Sequence, residues 1–224
     1  MKIFLVIPVF NEEKNLPNVL AELGKLRFST VFVDDGSTDT TSLKLRSASK
    51  TLNNRLMVLT HKVNLGKGAA MKTGALAAFS LGADAVIFID SDGQHKVSDL
   101  PQFIKALKFN KVDIVFGVRD LLKIPFVRRV GNSVASLLVS LLFNIRVLDL
   151  LCGYRGLTKK AFRKINWKSS GYSVETEMVA MTGKYRLKHC EVAISTVYYD
   201  KFNGLSPTEG IGIIFDVLAW KFLI

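Results

Sequence analysis

Asp90-Ser91-Asp92-Gly93-Gln94 concentrates oxygen donors directly after the apolar run Ala85–Ile89. That run is short, β-branched and aromatic, the pattern of a buried strand. Two carboxylates spaced i, i+2 on extended backbone point to one side. At the carboxyl end of a parallel strand, Asp90 and Asp92 would stand where open α/β sheets bind ligands. The pair offers hard oxygen ligands to Mg²⁺ or Mn²⁺ and leaves room for a substrate phosphate. An acidic turn has the same composition, so the rest of the chain must decide.

The elements that position this pair are legible as an alternation. Strand patterns cover Ile3–Val9, Thr30–Val33, Leu56–Thr60, Ala85–Ile89 and Asp113–Phe116, and helical periods cover Glu12–Leu26, Thr38–Lys50, Gly68–Leu81 and Ser98–Phe109. Such a series implies a mostly parallel, Rossmann-like sheet with helices on both faces. Each strand runs into polar residues: Asn11-Glu12-Glu13, Asp34-Asp35-Gly36, His61 to Gly68, the Asp-x-Asp, and Gly117-Val118-Arg119-Asp120. In a parallel sheet these ends share one rim. A turn explains any one of them and explains five poorly. Gly66-Lys67-Gly68 lacks the spacing of a P-loop, and no Gly-x-Gly-x-x-Gly follows the first strand. The two glycines instead suit a tight start to the third helix, with backbone N–H groups offered to a ligand.

Composition narrows the partners. The 224 residues carry 31 Lys and Arg against 19 Asp and Glu, a net charge of +12. The excess is larger in the second half, which is therefore the half to meet a polyanion, an anionic surface or a phosphorylated substrate. No recognition-helix or aromatic–basic motif supports a nucleic-acid partner. Cys152 and Cys190 lack metal-ligand spacing and suit reduced thiols of a cytosolic protein. The start, MKIFLVIPVF, is cut off by Pro8 and Asn11–Glu13 with no cleavage site behind it, and so reads as a strand rather than a leader. The apolar run Val134–Phe143 spans ~15 Å as helix, against a hydrocarbon core of ~30 Å. Residues 211–224 read as an amphipathic, interfacial helix or the stub of something longer.

The set IPVFNEEKNL, VDDGSTDTT, NLGKGAAMKTG, FIDSDGQH, GVRD and DLLCGYRGL resembles family 2 glycosyltransferases of the GT-A fold, and within them the dolichyl- or polyprenyl-phosphate sugar synthases. The resemblance runs from residue 3 to about 207, in the family's order. It implies one GT-A domain over 1–224: a nucleotide-sugar half (1–118), an acceptor half (119–210) and the terminal helix (211–224). Pro8, Phe10, Asn11 and Glu12 match the first nucleotide loop, with Phe10 flanking base or ribose and Glu12 accepting from ribose hydroxyls. Val33 and Asp35 match the base-reading element, and Asp34 a structural one. Asp90, Ser91 and Asp92 match the metal and diphosphate element, and Gln94 a third ligand. Arg119 matches an arginine facing the phosphates, with a bridge to Asp120 or Asp113 as its plainer reading. Arg128, Arg129 and Asn132 resemble the element that grips an acceptor phosphate, Asn132 standing for a serine. Gly153, Tyr154 and Arg155 match an architectural motif. Lys201 stands where the family has a diphosphate-clamping arginine, and Pro207 where it has a lysine.

The resemblance implies an inverting displacement. A hexose or N-acetylhexosamine would leave a UDP- or GDP-sugar for a polyprenyl phosphate, on the cytoplasmic face of a membrane. A phosphate acceptor has its second pKa near 6, so it needs cations to position it rather than a general base. A sugar hydroxyl would need a carboxylate base, for which Glu175 or Glu177 are the candidates. A non-catalytic nucleotide-sugar sensor is the third reading.

Overall fold

A computed structural model describes residues 1–26, 28–51, 55–109, 111–120, 126–196 and 207–222, with the side chains of 126–128 and 207–211 outside that set. The elements run β1 (Ile3–Val9), α1 (Leu16–Gly24), β2 (Ser29–Asp34), α2 (Thr41–Thr51), β3 (Leu56–Thr60), α3 (Lys67–Ser80) and β4 (Ala85–Phe88). A 3₁₀ turn at Val97–Asp99 leads into α4 (Leu100–Phe109) and β5 (Ile114–Val118). Then follow α5 (Phe126–Phe143), β6 (Arg155–Thr158), α6 (Lys159–Ile165), α7 (Val174–Lys184), β7 (His189–Ala193) and α8 (Pro207–Phe222).

The strands form one sheet in the order β3-β2-β1-β4-β6-β5-β7. All neighbours are parallel except β6, which is antiparallel to both β4 and β5. The period of two along β1 divides the core. Phe4 and Val6 join the layer that contains residues of α3, α5, α7 and α8, while Leu5, Ile7 and Val9 join the layer of α1 and α4. The expected mostly parallel sheet with helices on both faces is the observed architecture.

Two helices start later than their periodicity suggests, for one reason. Glu12–Asn15 form a turn on the Glu12 carbonyl before α1 begins. Thr38 and Thr40 are held by the side chains of Asn11, just before that turn, and Glu13, within it, before α2 begins. The loops after β1 and β2 are thereby stitched into one rim. The alternation also missed β6 and β7. β6 is four residues long and opens on an arginine, and β7 is a half-exposed strand of mixed polarity.

Candidate active site

The ends of β1, β2 and β4 surround a cleft of about 260 Å³. Pro8, Phe10, Glu12, Asp35, Asp90, Ser91 and Asp92 all line it, as do Lys67 and Tyr172. Seven of the residues singled out from sequence are thus brought together. Phe10 and Tyr172 stand at the cleft with 40% and 55% of their surface exposed, and the Lys67 ammonium lies 6.0 Å from the centre of the Tyr172 ring.

Asp90 and Asp92 leave β4 as expected, but they are held differently. Asp90 takes the Lys67 ammonium at 2.6 Å and His95 Nε2 at 3.3 Å. Gly153 packs so closely on the Asp90 carboxylate that any side chain there would collide with it. Burial alone would raise the Asp90 pKa; Lys67 and His95 outweigh it and hold the carboxyl well below the usual range. Asp92 has no such cation. Burial, then the neighbouring charge of Asp90, push its pKa up. Glu12 is pushed up by burial too, with further increments from Asp92 and Asp90. Three carboxylates therefore face one space. Lys67 is drawn to a second acid, Glu175, at 2.7 Å. Burial lowers its pKa, yet Asp90 and Glu175 more than offset that and keep the ammonium charged.

Asp35 has three partners for its two oxygens: the backbone N–H groups of Leu65 and Gly66, and His61 Nδ1 at 2.6 Å. His61 passes the connection on to Thr73. A carboxylate has about four acceptor sites, so one remains for a ligand in the cleft. Asp34 is buried and spent on Ser37 and Ser42.

Other expectations fall away from the cleft. The Asn11 side-chain oxygen is committed to Thr38, so it clamps two loops rather than a ligand. Val33 is fully buried in the core. Gln94 donates its backbone N–H to Asp92, closing the turn, and its side chain does not line the cleft. Asn132 is 2% exposed, accepts from Leu150 and Leu151 and donates to Leu148. It fastens the 148–151 loop to α5, which leaves it no role on an acceptor phosphate. Arg119 lays its fork on fully buried Asp149 at 2.7 and 2.9 Å. The N–H groups of Gly66 and Gly68 are taken by Asp35 and the Ser170 carbonyl, so neither is offered to a ligand. Arg128 lies in the first turn of α5 with its side chain outside the described set, and Lys201 lies outside the described residues.

Tyr172 and the pairing of Lys67 with Asp90 are the cleft features that sequence reasoning passed over, and for Lys67 the reason is physical. A signal existed: a cation in the first turn of a helix opposes the helix dipole, so it needs carboxylate partners to sit there. Among the described residues no group of three or more His, Cys, Asp and Glu is arranged to hold a metal. Two crowded carboxylates, one of them without a cation, nonetheless fit a divalent ion whose remaining ligands are water and substrate phosphate.

Residues 4–172 match the sequence profile of Glycosyl transferase family 2. The chain belongs to that family. Among relatives of this transferase is the UDP-N-acetylglucosamine–dolichyl-phosphate N-acetylglucosaminyltransferase of Methanococcus voltae, 30% identical over 98% of this chain and 96% of that protein. Another is the undecaprenyl-phosphate mannosyltransferase of Micrococcus luteus, 27% identical over 88% and 84%. In fold the transferase is similar to glucosyl-3-phosphoglycerate synthase of Mycobacterium tuberculosis, solved with Mg²⁺ and UDP. The TM-score is 0.76 at 22% identity, over all of this chain and 80% of that one.

Proposed function

We propose that this glycosyltransferase moves a hexose or N-acetylhexosamine from a UDP- or GDP-sugar to a polyprenyl or dolichyl phosphate, with inversion, at the cytoplasmic face of a membrane. The observation that carries the reading is the cleft that Asp90, Asp92 and Lys67 line together with two exposed rings. Relatives named for dolichyl- and undecaprenyl-phosphate transfer support the acceptor class.

Phe10 and Tyr172 stack on base or ribose, and the free acceptor site of Asp35 takes a base N–H. Glu12 accepts from ribose hydroxyls. Asp90 and Asp92 would hold Mg²⁺ or Mn²⁺, which would supply charge neutralisation for the leaving diphosphate. Lys67 adds a fixed cation beside the same phosphates, and charge already in place before the bond breaks stabilises the transition state without reorganisation. Arg128 grips the acceptor phosphate, a geometry that suits a guanidinium. Arg119, tied to Asp149, steadies the loop after β5. The acceptor arrives ionised, so no residue need act as base.

The test is transfer of label from a panel of UDP- and GDP-sugars into an organic phase containing polyprenyl phosphate, with Mn²⁺ or Mg²⁺. Label from one donor, lost with chelator and in Asp92→Ala, is the expected result. No transfer to lipid but transfer to a sugar hydroxyl would replace the acceptor. Nucleotide binding without any turnover would make the protein a sensor.

A further inference from the structure

α5 and α8 pack on one another and both pack on α7. Their outward faces are apolar and open. On α5, Val130, Val134, Leu137 and Leu141 recur at helical spacing, the last two 62% and 75% exposed. No charged residue interrupts α5 between Val130 and Phe143. On α8, Phe215 and Phe222 are 68% and 73% exposed, with Leu218 between them. Residues of this kind scattered singly are ordinary; two adjoining stripes are not. No helix among the described residues is long and apolar enough to cross a membrane.

The stripes end at a second cavity. It holds about 450 Å³ and lies where the carboxyl ends of α5, α7 and α8 meet the start of β7. β7 is parallel to β5, so this is the edge of the sheet opposite the active-site rim. Lys184, Arg186, His189 and Lys221 line it, and no carboxylate of the described residues does. Lys221 Nζ also bonds the Leu142 carbonyl at 2.7 Å. Trp220 forms part of the wall. The α5 axis from Arg129 to Leu142 covers about 20 Å at 1.5 Å per residue. One apolar ridge therefore runs from the acceptor arginines to a groove of cations.

We propose that the α5–α8 face lies in the surface of a bilayer and that the groove takes the phosphate of an anionic lipid headgroup, a second anion site distinct from the acceptor site. A protein partner would meet three cations and no acid among the described residues only with an equally one-sided surface, whereas an anionic leaflet presents that charge everywhere. Apolar stripes immersed at headgroup depth, flanked by cations, are the arrangement of interfacial helices. The inference deepens the lipid-phosphate reading and rests on it for the acceptor end alone. The protein would then lie on its side, with the active-site end of α5 and the groove both at the interface.

The experiment is flotation of the purified protein with phosphatidylcholine vesicles, with and without phosphatidylglycerol. Binding is expected only with the anionic lipid and to fall at high salt. Each cation near a leaflet contributes about five-fold, so Lys184→Glu with Arg186→Glu should cut binding by roughly 25-fold or more. Leu137→Asp with Leu141→Asp should abolish it. Lys105→Glu with Lys108→Glu, exposed on α4 in the other layer, should change it less than the groove pair. Equal losses in the two charge-reversed pairs would mean diffuse attraction and overturn the site. A solution dimer that Leu137→Asp dissociates would assign the ridge to a second copy and also overturn it. Transfer to a short, water-soluble polyprenyl phosphate separates the two readings. If it persists while binding is lost or absent, the surface alone is affected; if it never occurs, the acceptor reading fails while docking stands.

Discussion

Glu175 and Glu177 sit two residues apart on α7, each 3% exposed, and they live in opposite conditions. Glu177 accepts from the backbone N–H groups of Lys168 and Ser169 at 2.8 to 3.1 Å, and its charge is spread over fixed donors. Glu175 has no hydrogen bond of good geometry to either oxygen, only the ion pair with Lys67. The same contrast holds more widely. Arg155, fully buried, donates to the carbonyls of Cys152, Leu150 and Glu175 and lies over the Phe116 ring. Asp92, at the cleft, accepts one backbone N–H, from Gln94, and is left with its charge crowded and no cation. Buried polar groups are costly unless satisfied. A satisfied group holds the fold, and an unsatisfied one beside a cleft marks where a ligand completes the arrangement.

The sharpest way to break that contrast is Asp92→Asn. Loss of a ligand to the charge-neutralising ion should lower transfer about 10³-fold. The metal-free protein should nonetheless become more stable, by roughly 1 kcal/mol for each unit of pKa displacement relieved. The sign follows from the raised pKa of Asp92. A carboxyl whose folded pKa lies above its unfolded value costs stability at all pH above the folded pKa. The cost disappears below the unfolded value, near 3.9. Thermal melts of the two proteins without metal should therefore differ at neutral pH and converge on acidification. A variant less stable than wild type at neutral pH would show that the Asp92 charge is compensated without a metal.

Arg155→Met tests the other side. Three buried carbonyls would lose their donor, at about 1 kcal/mol or more each, so about 3 kcal/mol is expected. For a chain of this size that is roughly 10 °C in Tm. Mn²⁺ affinity measured well below the melt should stay within about two-fold of wild type, a difference under roughly 0.5 kcal/mol. A large loss of metal affinity with an unchanged melt would make Arg155 part of the cleft's electrostatics instead.

This division was only partly visible in the sequence. The five leading strands and their polar ends were legible because their order is local and their periods are clean. Asp90, Asp92, Glu12 and Asp35 were legible because rim position follows from strand order. What was not legible depends on long-range partners. Arg119 pairs with Asp149, 30 residues on, through a loop that Asn132 fastens. Asn132 looked like a phosphate ligand because an amide can donate, and only burial shows that its capacity is spent. Lys67 looked like part of a glycine turn because both its acids lie far away in sequence. β6 was hidden by its leading arginine, whose charge is acceptable in the centre of a sheet only because three carbonyls converge on it.

The smallest effect, and the most direct on the α7 pair, comes from replacing each acid by its amide. Glu177→Gln keeps an acceptor oxygen for one amide group but loses the charge that strengthened those bonds, and it turns an amine toward donors. About 1 kcal/mol of stability should go, with transfer unaffected. Glu175→Gln should do the reverse. Lys67 now divides its attraction between Asp90 and Glu175, so an ion arriving at Asp90 leaves the ammonium an anchor. Without that anchor the ammonium is held by Asp90 alone, and a divalent ion must compete with it fully. Mn²⁺ affinity, followed by electron paramagnetic resonance without donor, should weaken about five-fold, roughly 1 kcal/mol. The melt should change little, because the lost ion pair with Lys67 is offset by no longer burying a carboxylate, and Asp90 still holds the ammonium. Equal stability losses in the two variants, with equal metal affinities, would erase the distinction between the acids and leave Lys67 as a structural ion pair.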